Sequence, residues 1–386
     1  MEINGFHDHP MLMQALDPSV PPNLIVDTQV HNIVDNSGIS DDERKSILTS
    51  LIKSLQSSSE QKVLLIGDVI LDRYHHGHSN NLSSIGPVPV LKITRTEENA
   101  GAAAHIAQSL TSLGILVDFH TAVGNDAEGK AIIENLGDYE VDVKSIEVID
   151  NHTTLVKTRY FGSRESLLDR PQLMLQADVE DPNDIPKSYT DNIHNKALQA
   201  VEGSSAIVIS DYDKGVVNNE ASIRLIQAAN DQEIPIVMDP KLTGLERSTG
   251  ATVVIFERRG MELLRRRMEI FSTQEAATAL VRKHNWGALL ILGGSDGVTL
   301  YHSDGRVVST SSSIENPRQQ VGLHDAAASA ICFALGNGHD LIASSVLASA
   351  ACDCILKSLD GDSILTREAL MLRIEEISWK MQISDR

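Results

Sequence analysis

Apolar residues alternate along this chain between short unbroken runs and longer stretches with a helical period. The unbroken runs predict buried strands over residues 62–67, 116–123, 206–210, 235–239, 252–256, 288–292 and 297–301. The periodic stretches between them predict helices over residues 104–113, 127–136, 220–230, 325–335 and 341–356. Strands that are apolar on both faces and alternate with helices are typical of a mainly parallel, doubly wound α/β sheet. Ligands bind such sheets beyond the carboxyl ends of the strands.

Two further segments have strand-like alternation outside this order, residues 88–96 and 153–161. They predict a small β-layer, a lid, built from about residues 72–98 and 151–180. Residues 1–60 have a different character, with scattered prolines and one amphipathic helix that starts after Ser40. We therefore expect a partly disordered N-terminal extension over residues 1–60 and one large α/β domain over residues 61–380.

Charge and composition narrow the class of protein. The net charge of −20 over 386 residues argues against nonspecific nucleic-acid binding, because phosphates attract positive surfaces. The basic positions 258–259 and 265–267 are most simply a solvated helix face. No apolar run is long enough to span a bilayer, and the start of the chain lacks the pattern of a signal peptide. With three cysteines in apolar helical sequence, the chain is expected in the cytoplasm.

The segment Val321-Gly322-Leu323-His324-Asp325 is the most informative stretch for chemistry. A glycine turn that leads directly into a helix directs backbone N–H groups and the positive helix end at an anion. Asp325 is a candidate base beside that anion, although an Asp at a helix start can also be a simple N-cap. Leu323 and His324 are bulky for a phosphate cradle, and His324 could instead supply a cation.

Several further motifs occur in a fixed order. They are 67–74 (GDVILDRY), 87–90 (PVPV), 101–104 (GAAA), 210–215 (SDYDKG) and 239–241 (DPK). From about residue 61 to 360 the chain resembles the ribokinase-like (pfkB) carbohydrate kinases, in particular the heptose-phosphate kinase half of bifunctional heptose kinase/adenylyltransferases. The resemblance implies ATP and Mg²⁺ as cofactors, a sugar or phosphosugar substrate beneath the β-lid, and a homodimer formed through the lid.

The resemblance also implies roles for individual residues. Asp325 matches the catalytic base, and the turn that precedes it matches the anion hole, Gly322, Leu323 and His324. The positions that match sugar contacts are Asp72, Gly101, His105 and Lys157. The positions that match the nucleotide side are Gly293, Gly294, Gly297, Glu257 and Arg258. The glycines also suit a plain hairpin turn between two strands.

This sequence departs from the family pattern at three places. Leu323 and His324 replace Ala and Gly in the anion turn, and His105 replaces an Asn. The family's Asn-x-x-Glu, which organises magnesium, aligns with the segment 257–260 (ERRG), so we assign no metal ligand. Two hypotheses follow, an active kinase of reduced activity and an inactive family member that serves as a scaffold or a nucleotide or sugar sensor. A third is an interaction protein that recruits a partner through the N-terminal segment and the basic helix.

Overall fold

The computed structural model describes residues 38–57, 61–163, 171–314, 316–317, 320–358 and 363–384, within one compact unit that covers Asn36–Arg386. The disorder predicted for the start of the chain falls outside these residues. The strands are β1 (Lys62–Gly67), β2 (Val69–Leu82), β3 (Pro89–Ala102), β4 (Leu116–Gly124), β5 (Ile146–Ile149), β6 (Val156–Ser163), β7 (Gln172–Val179), β8 (Ala206–Asp211), β9 (Ile236–Pro240), β10 (Val253–Glu257), β11 (Ala288–Leu292), β12 (Val298–His302) and β13 (Val307–Thr310). The helices are α1 (Asp41–Gln56), α2 (Ala103–Ser112), α3 (Ala127–Asp138), α4 (Lys187–Ala200), α5 (Asn219–Asn230), α6 (Arg258–Arg267), α7 (Thr273–Lys283), α8 (Leu323–Gly336), α9 (Leu341–Lys357) and α10 (Arg367–Ser384).

The main sheet has nine strands in the order β13-β12-β11-β10-β9-β8-β1-β4-β5. Every neighbouring pair from β5 to β11 is parallel, and β12 and β13 add antiparallel strands at one edge. Along β1, Val63 and Leu65 belong to one buried cluster while Leu64 and Ile66 belong to the other. Both faces of the sheet are therefore covered by helices, which confirms the doubly wound α/β fold.

A second sheet of four strands, in the order β3-β2-β6-β7, forms the predicted lid. The segments 88–96 and 153–161 lie largely within β3 and β6, as expected. The strands β2 and β7 were not predicted as such. Every residue of β7 is exposed, so this strand lacks the apolar alternation that marks a half-buried strand in a sequence.

Helix α1 begins after Ser40, whose hydroxyl accepts a hydrogen bond from the Glu43 backbone N–H at 3.2 Å. Its residues Leu48, Leu51 and Leu55 are at most 1% exposed and join the main core cluster. The boundary suggested at residue 60 therefore does not separate this helix from the α/β domain. Among the described residues, no helix is long and apolar enough to cross a membrane.

Candidate functional site

The glycine turn before α8 sits at the carboxyl ends of the central strands. Gly322 has a left-handed φ of 86°, and a Cβ at this position would lie only 3.0 Å from Cε1 of His105. Leu323 is 8% exposed and packs into the core, so its bulk is directed largely away from solvent. The turn thus has a left-handed glycine directly before the helix, and the helix start carries Asp325, whose side chain is buried with 7% of the residue exposed.

Two cavities share the wall formed by Tyr212, Gly322 and Asp325. The larger cavity has a volume of about 400 Å³ and the smaller about 100 Å³. The larger is lined by polar residues that include Asp239, Lys241, Glu257, Arg259, Gln320 and His324. The smaller is lined by residues at the inner end of the lid, Asp72, Gly101, Lys157 and Arg159, and by His105 from α2. Asp325 therefore lines both cavities.

The smaller cavity is organised around Asp72. Its Oδ1 accepts a hydrogen bond from Arg159 Nη1 at 2.5 Å, and both side chains are 16% exposed. Burial raises the pKa of Asp72, although the Arg159 guanidinium opposes that rise. Gly101 lies directly against this carboxylate, because a Cβ there would be 2.1 Å from Asp72 Oδ2. A substrate hydroxyl that binds Asp72 would have to share it with Arg159 or displace it.

Arg159 was not among the predicted site residues, yet it lines the smaller cavity. The signal was available, because Arg159 is two residues after Lys157 on β6 and so projects from the same face of the strand. Both side chains line the smaller cavity. Burial lowers the pKa of Lys157, which the neighbouring Asp72 partly counteracts. The lid thus brings two basic side chains to the smaller cavity, beside Asp325.

Each of the two histidines that depart from the family pattern lies against a carboxylate. Nδ1 of His105 is 3.1 Å from Oδ2 of Asp325, and both residues are buried. Nδ1 of His324 is 2.8 Å from Oδ1 of Asp239. Burial lowers the pKa of His324, but the carboxylates of Asp239 and Asp325 together outweigh this effect and the net shift is upward. The ring of His324 lines the larger cavity and its side chain remains 27% exposed, so the cavity stays open beside it.

The two arginines at the start of α6, Arg258 and Arg259, lie in different environments. Arg259 lines the larger cavity, whereas Arg258 forms an exposed ion pair with Asp296 and is not among the residues that line it. Glu257 also lines this cavity, with an exposed side chain. Lys241, which follows β9, lies over the Tyr212 ring with its Nζ 3.9 Å from the ring centroid. The basic side chains that line this cavity are therefore Lys241, Arg259 and His324, and Arg258 is not among them.

The three glycines assigned to the nucleotide side form the connection between β11 and β12. The two strands are antiparallel, and the Gly293 N–H donates to the Gly297 carbonyl at 2.7 Å, so the hairpin interpretation holds. Gly297 has a φ of 89°, and a Cβ there would lie 2.0 Å from the Thr310 carbonyl oxygen. The turn borders the larger cavity, since a Cβ at Gly294 would be 3.8 Å from Gln320, which lines that cavity.

The donor set of the larger cavity does not fit a protein-held magnesium site. Within the described ranges, no group of three or more His, Cys, Asp and Glu side chains is placed to hold a metal ion. Of the carboxylates on its wall, Asp239 is already bonded to His324 and Asp325 contacts His105. Mg²⁺ prefers oxygen ligands in near-octahedral geometry, and Glu257 alone offers it a free-standing carboxylate on this wall among the described residues.

Comparisons with known proteins agree with this architecture. The chain is 28% identical over 319 residues to the bifunctional protein HldE of Actinobacillus pleuropneumoniae and 29% identical over 313 residues to that of Haemophilus influenzae, covering 82% and 80% of this chain. It spans only 65% and 63% of those two proteins.

Solved structures with the same fold include Arabidopsis thaliana ribokinase complexed with ribose and ATP, with a TM-score of 0.65 and 16% identity. Phosphofructokinase-2 from Escherichia coli in complex with substrates and products matches with a TM-score of 0.66 and 17% identity. Each alignment covers 82% of this chain and 99% of the other. The sequence also matches the profile of the pfkB family carbohydrate kinases over residues 60–366. The chain therefore belongs to the pfkB family of carbohydrate kinases.

Proposed function

We propose that this protein transfers the terminal phosphoryl group of ATP to a hydroxyl of a sugar or phosphosugar, in the manner of a heptose-phosphate kinase. The observation that carries this proposal is the position of Asp325 on the wall shared by two cavities. The larger cavity suits the polyphosphate of a nucleotide, because Lys241, Arg259 and His324 line it. The smaller cavity suits the acceptor, because Asp72 can accept hydrogen bonds from sugar hydroxyls.

The reaction follows from this arrangement. The acceptor hydroxyl oxygen attacks the γ-phosphorus, its proton passes to Asp325, and the bond from the γ-phosphorus to the bridging oxygen breaks to release ADP. Backbone N–H groups at the start of α8, after Gly322, stabilise the negative charge on the phosphoryl group in flight. Lys157 and Arg159 give the acceptor side a positive character, which favours a phosphosugar over an uncharged sugar.

The test is ADP release with ATP and a panel of heptose, hexose and pentose phosphates. Replacing Asp325 with Asn should lower kcat by about 10²–10⁴. The matched control is Asp340→Asn, because Asp340 also stands at a helix start and its side chain only caps α9 through the Ala343 N–H at 2.8 Å. Turnover that survives in Asp325→Asn at the level of Asp340→Asn would refute Asp325 as the base.

A homodimer through the lid belongs to the same proposal. The lid carries apolar side chains that are about half exposed, among them Leu173 (52%), Leu175 (58%) and Val90 (47%). They lie on the two edge strands of the lid sheet, β3 and β7, and exposed apolar groups on a sheet edge suit association with a second copy. Sedimentation of the wild-type protein should give a dimer, and Leu175→Asp should shift it toward the monomer; a monomeric wild type would contradict the dimer.

One observation favours a second candidate, a binding protein without turnover. Asp72 already engages Arg159, and the cavity around it holds only about 100 Å³. If this pair stays closed, nucleotide binds but no sugar reaches Asp325. ATP binding by calorimetry together with undetectable ADP release across the substrate panel would support this candidate over the kinase.

A further inference from the structure

We propose that His324, held by Asp239, is a cationic contact for the terminal phosphates of the nucleotide, in place of a metal ion held by the protein. This inference rests on the proposed function only in that it assigns the larger cavity to the polyphosphate. It does not require phosphoryl transfer to occur.

The geometry of the pair supports this role. His324 Nδ1 is 2.8 Å from Asp239 Oδ1, and Asp239 is only 7% exposed. A carboxylate on Nδ1 fixes the ring and stabilises the imidazolium, which leaves Nε2 as a second N–H donor. The ring lines the cavity two residues after Gly322, where backbone N–H groups of the α8 start are also available. A phosphate at this place would meet a charged donor and the helix N-terminus together.

The composition of the cavity wall favours such a contact. A nucleoside triphosphate brings several negative charges into a cavity whose wall already includes Asp239, Glu257 and Asp325. No set of three metal-ligating side chains is available among the described residues to offset them through a protein-held cation. Lys241 and Arg259 supply two positive charges, and a protonated His324 supplies a third directly at the turn.

The protonation state of His324 depends on the charged groups that surround it. Asp239 and Asp325 favour the imidazolium, and Lys241 and burial disfavour it, with a net upward shift of the pKa of His324. Glu257 and Arg259 face the same cavity with opposite charges. Burial raises the pKa of Tyr212, so this phenol stays neutral near physiological pH. The charge on His324 is therefore present at low pH and is lost as the pH rises through its raised pKa.

The experiment measures the dissociation constants of ATP and of inorganic tripolyphosphate, without magnesium, from pH 6 to pH 9. The proteins are the wild type, His324→Gln and His302→Gln. Gln retains a hydrogen-bonding side chain without the charge. His302 is the matched control, because it also lies beside a carboxylate, 2.9 Å from Asp304, but on the remote β12–β13 hairpin. Protonation of the ligand itself is common to all three proteins and cancels in the comparison.

At pH 6, His324→Gln should bind both ligands about tenfold to a hundredfold more weakly than the wild type, which is the usual value of a hydrogen bond to a charged group. The gap should close by pH 9, and His302→Gln should follow the wild type throughout. A fourth protein, Asp239→Asn, keeps the shape of the partner but not its charge. Its affinity for both ligands should fall at a lower pH than the affinity of the wild type does. A gap that is absent at pH 6, or that stays constant with pH, would overturn the proposal.

The two proposals can fail separately in this design. If both polyphosphates bind with the expected pH dependence but no phosphosugar gives ADP, the kinase proposal fails and the role of His324 stands. If ADP release is observed and the gap between wild type and His324→Gln is absent, the role of His324 fails and the kinase proposal stands.

Discussion

Ala102 occupies a backbone conformation that suits only glycine. Its φ of 57° and ψ of −128° lie in a region that residues with a Cβ avoid, and it connects Gly101, which touches Asp72, to the helix that carries His105. Such a conformation costs of order 1–3 kcal/mol in a residue other than glycine. Ala102→Gly should remove this cost.

Two opposing effects set the net change in stability. Ala102 is 6% exposed and packs with Ile70 and Leu155, so loss of its methyl group costs about 0.8 kcal/mol. Glycine adds about 0.5–1 kcal/mol of backbone entropy in the unfolded chain. These costs roughly cancel the relief of strain, and we expect the free energy of unfolding of Ala102→Gly to lie within about 1 kcal/mol of the wild type.

The matched control is Ala107→Gly, at a fully buried position inside the same helix. Ala107→Gly loses the same methyl group and has the same entropy cost, but it relieves no strain. Its free energy of unfolding should therefore be about 1.5–2 kcal/mol lower than that of the wild type. Urea denaturation followed by fluorescence measures both variants, provided that the m-values are unchanged. Equal losses in the two variants would refute the assignment of strain to Ala102.

Three further predictions concern buried charge and the acceptor site. Arg373 and Asp353 form an ion pair in which both side chains are at most 4% exposed, so Arg373→Met should lower the free energy of unfolding by about 3–5 kcal/mol; a loss below 1 kcal/mol in chemical denaturation would contradict this. Burial raises the pKa of Asp68 from 3.8 to about 6, so the folded protein holds a proton that the unfolded chain releases, and stability should fall relative to Asp68→Asn as pH rises through that interval. Melting temperatures of both proteins from pH 3 to pH 8 test this, and a constant difference would rule it out. Gly101→Ala should displace the Asp72 carboxylate and abolish sugar-dependent turnover while ATP binding is retained, so loss of both would show that the change is not local.

The main sheet was predictable because its strands are buried on both faces. The predicted strand at 62–67 matches Lys62–Gly67, and that at 288–292 matches Ala288–Leu292, since a short unbroken apolar run is typical of a strand buried on both faces. The lid was predictable only in part. Strand β7 is exposed along its length, and most of β3 is exposed too, so burial imposes little pattern on them.

The site was predictable as a set of positions but not as a set of contacts. The motifs predicted that Asp72, Gly101 and Asp325 belong to one site, and all three line the smaller cavity. They gave no indication that His324 bonds to Asp239, because the two residues are 85 positions apart and the bond depends on how β9 meets α8. Arg258 and Arg259 are adjacent in sequence, but at the start of α6 their side chains have different surroundings. Arg258 pairs with Asp296, and Arg259 lines the larger cavity.

The physical cost of the site bears on whether it is in use. Asp325 keeps a buried Oδ1 without a hydrogen-bond partner in the described structure, and an unmet buried acceptor costs about 1–3 kcal/mol. Ala102 adds backbone strain a few residues from His105. A scaffold gains nothing from the unmet acceptor, which Ala at position 325 would remove, or from the strain, which Gly at position 102 would remove at little net change in stability. In a kinase, the open lone pair of Asp325 is the one that accepts the proton of the acceptor hydroxyl, so the same cost has a function. This supports an active enzyme over an inactive relative. Asp325→Asn, which keeps the shape of the side chain without its charge, should then lose turnover while its free energy of unfolding stays close to that of the wild type.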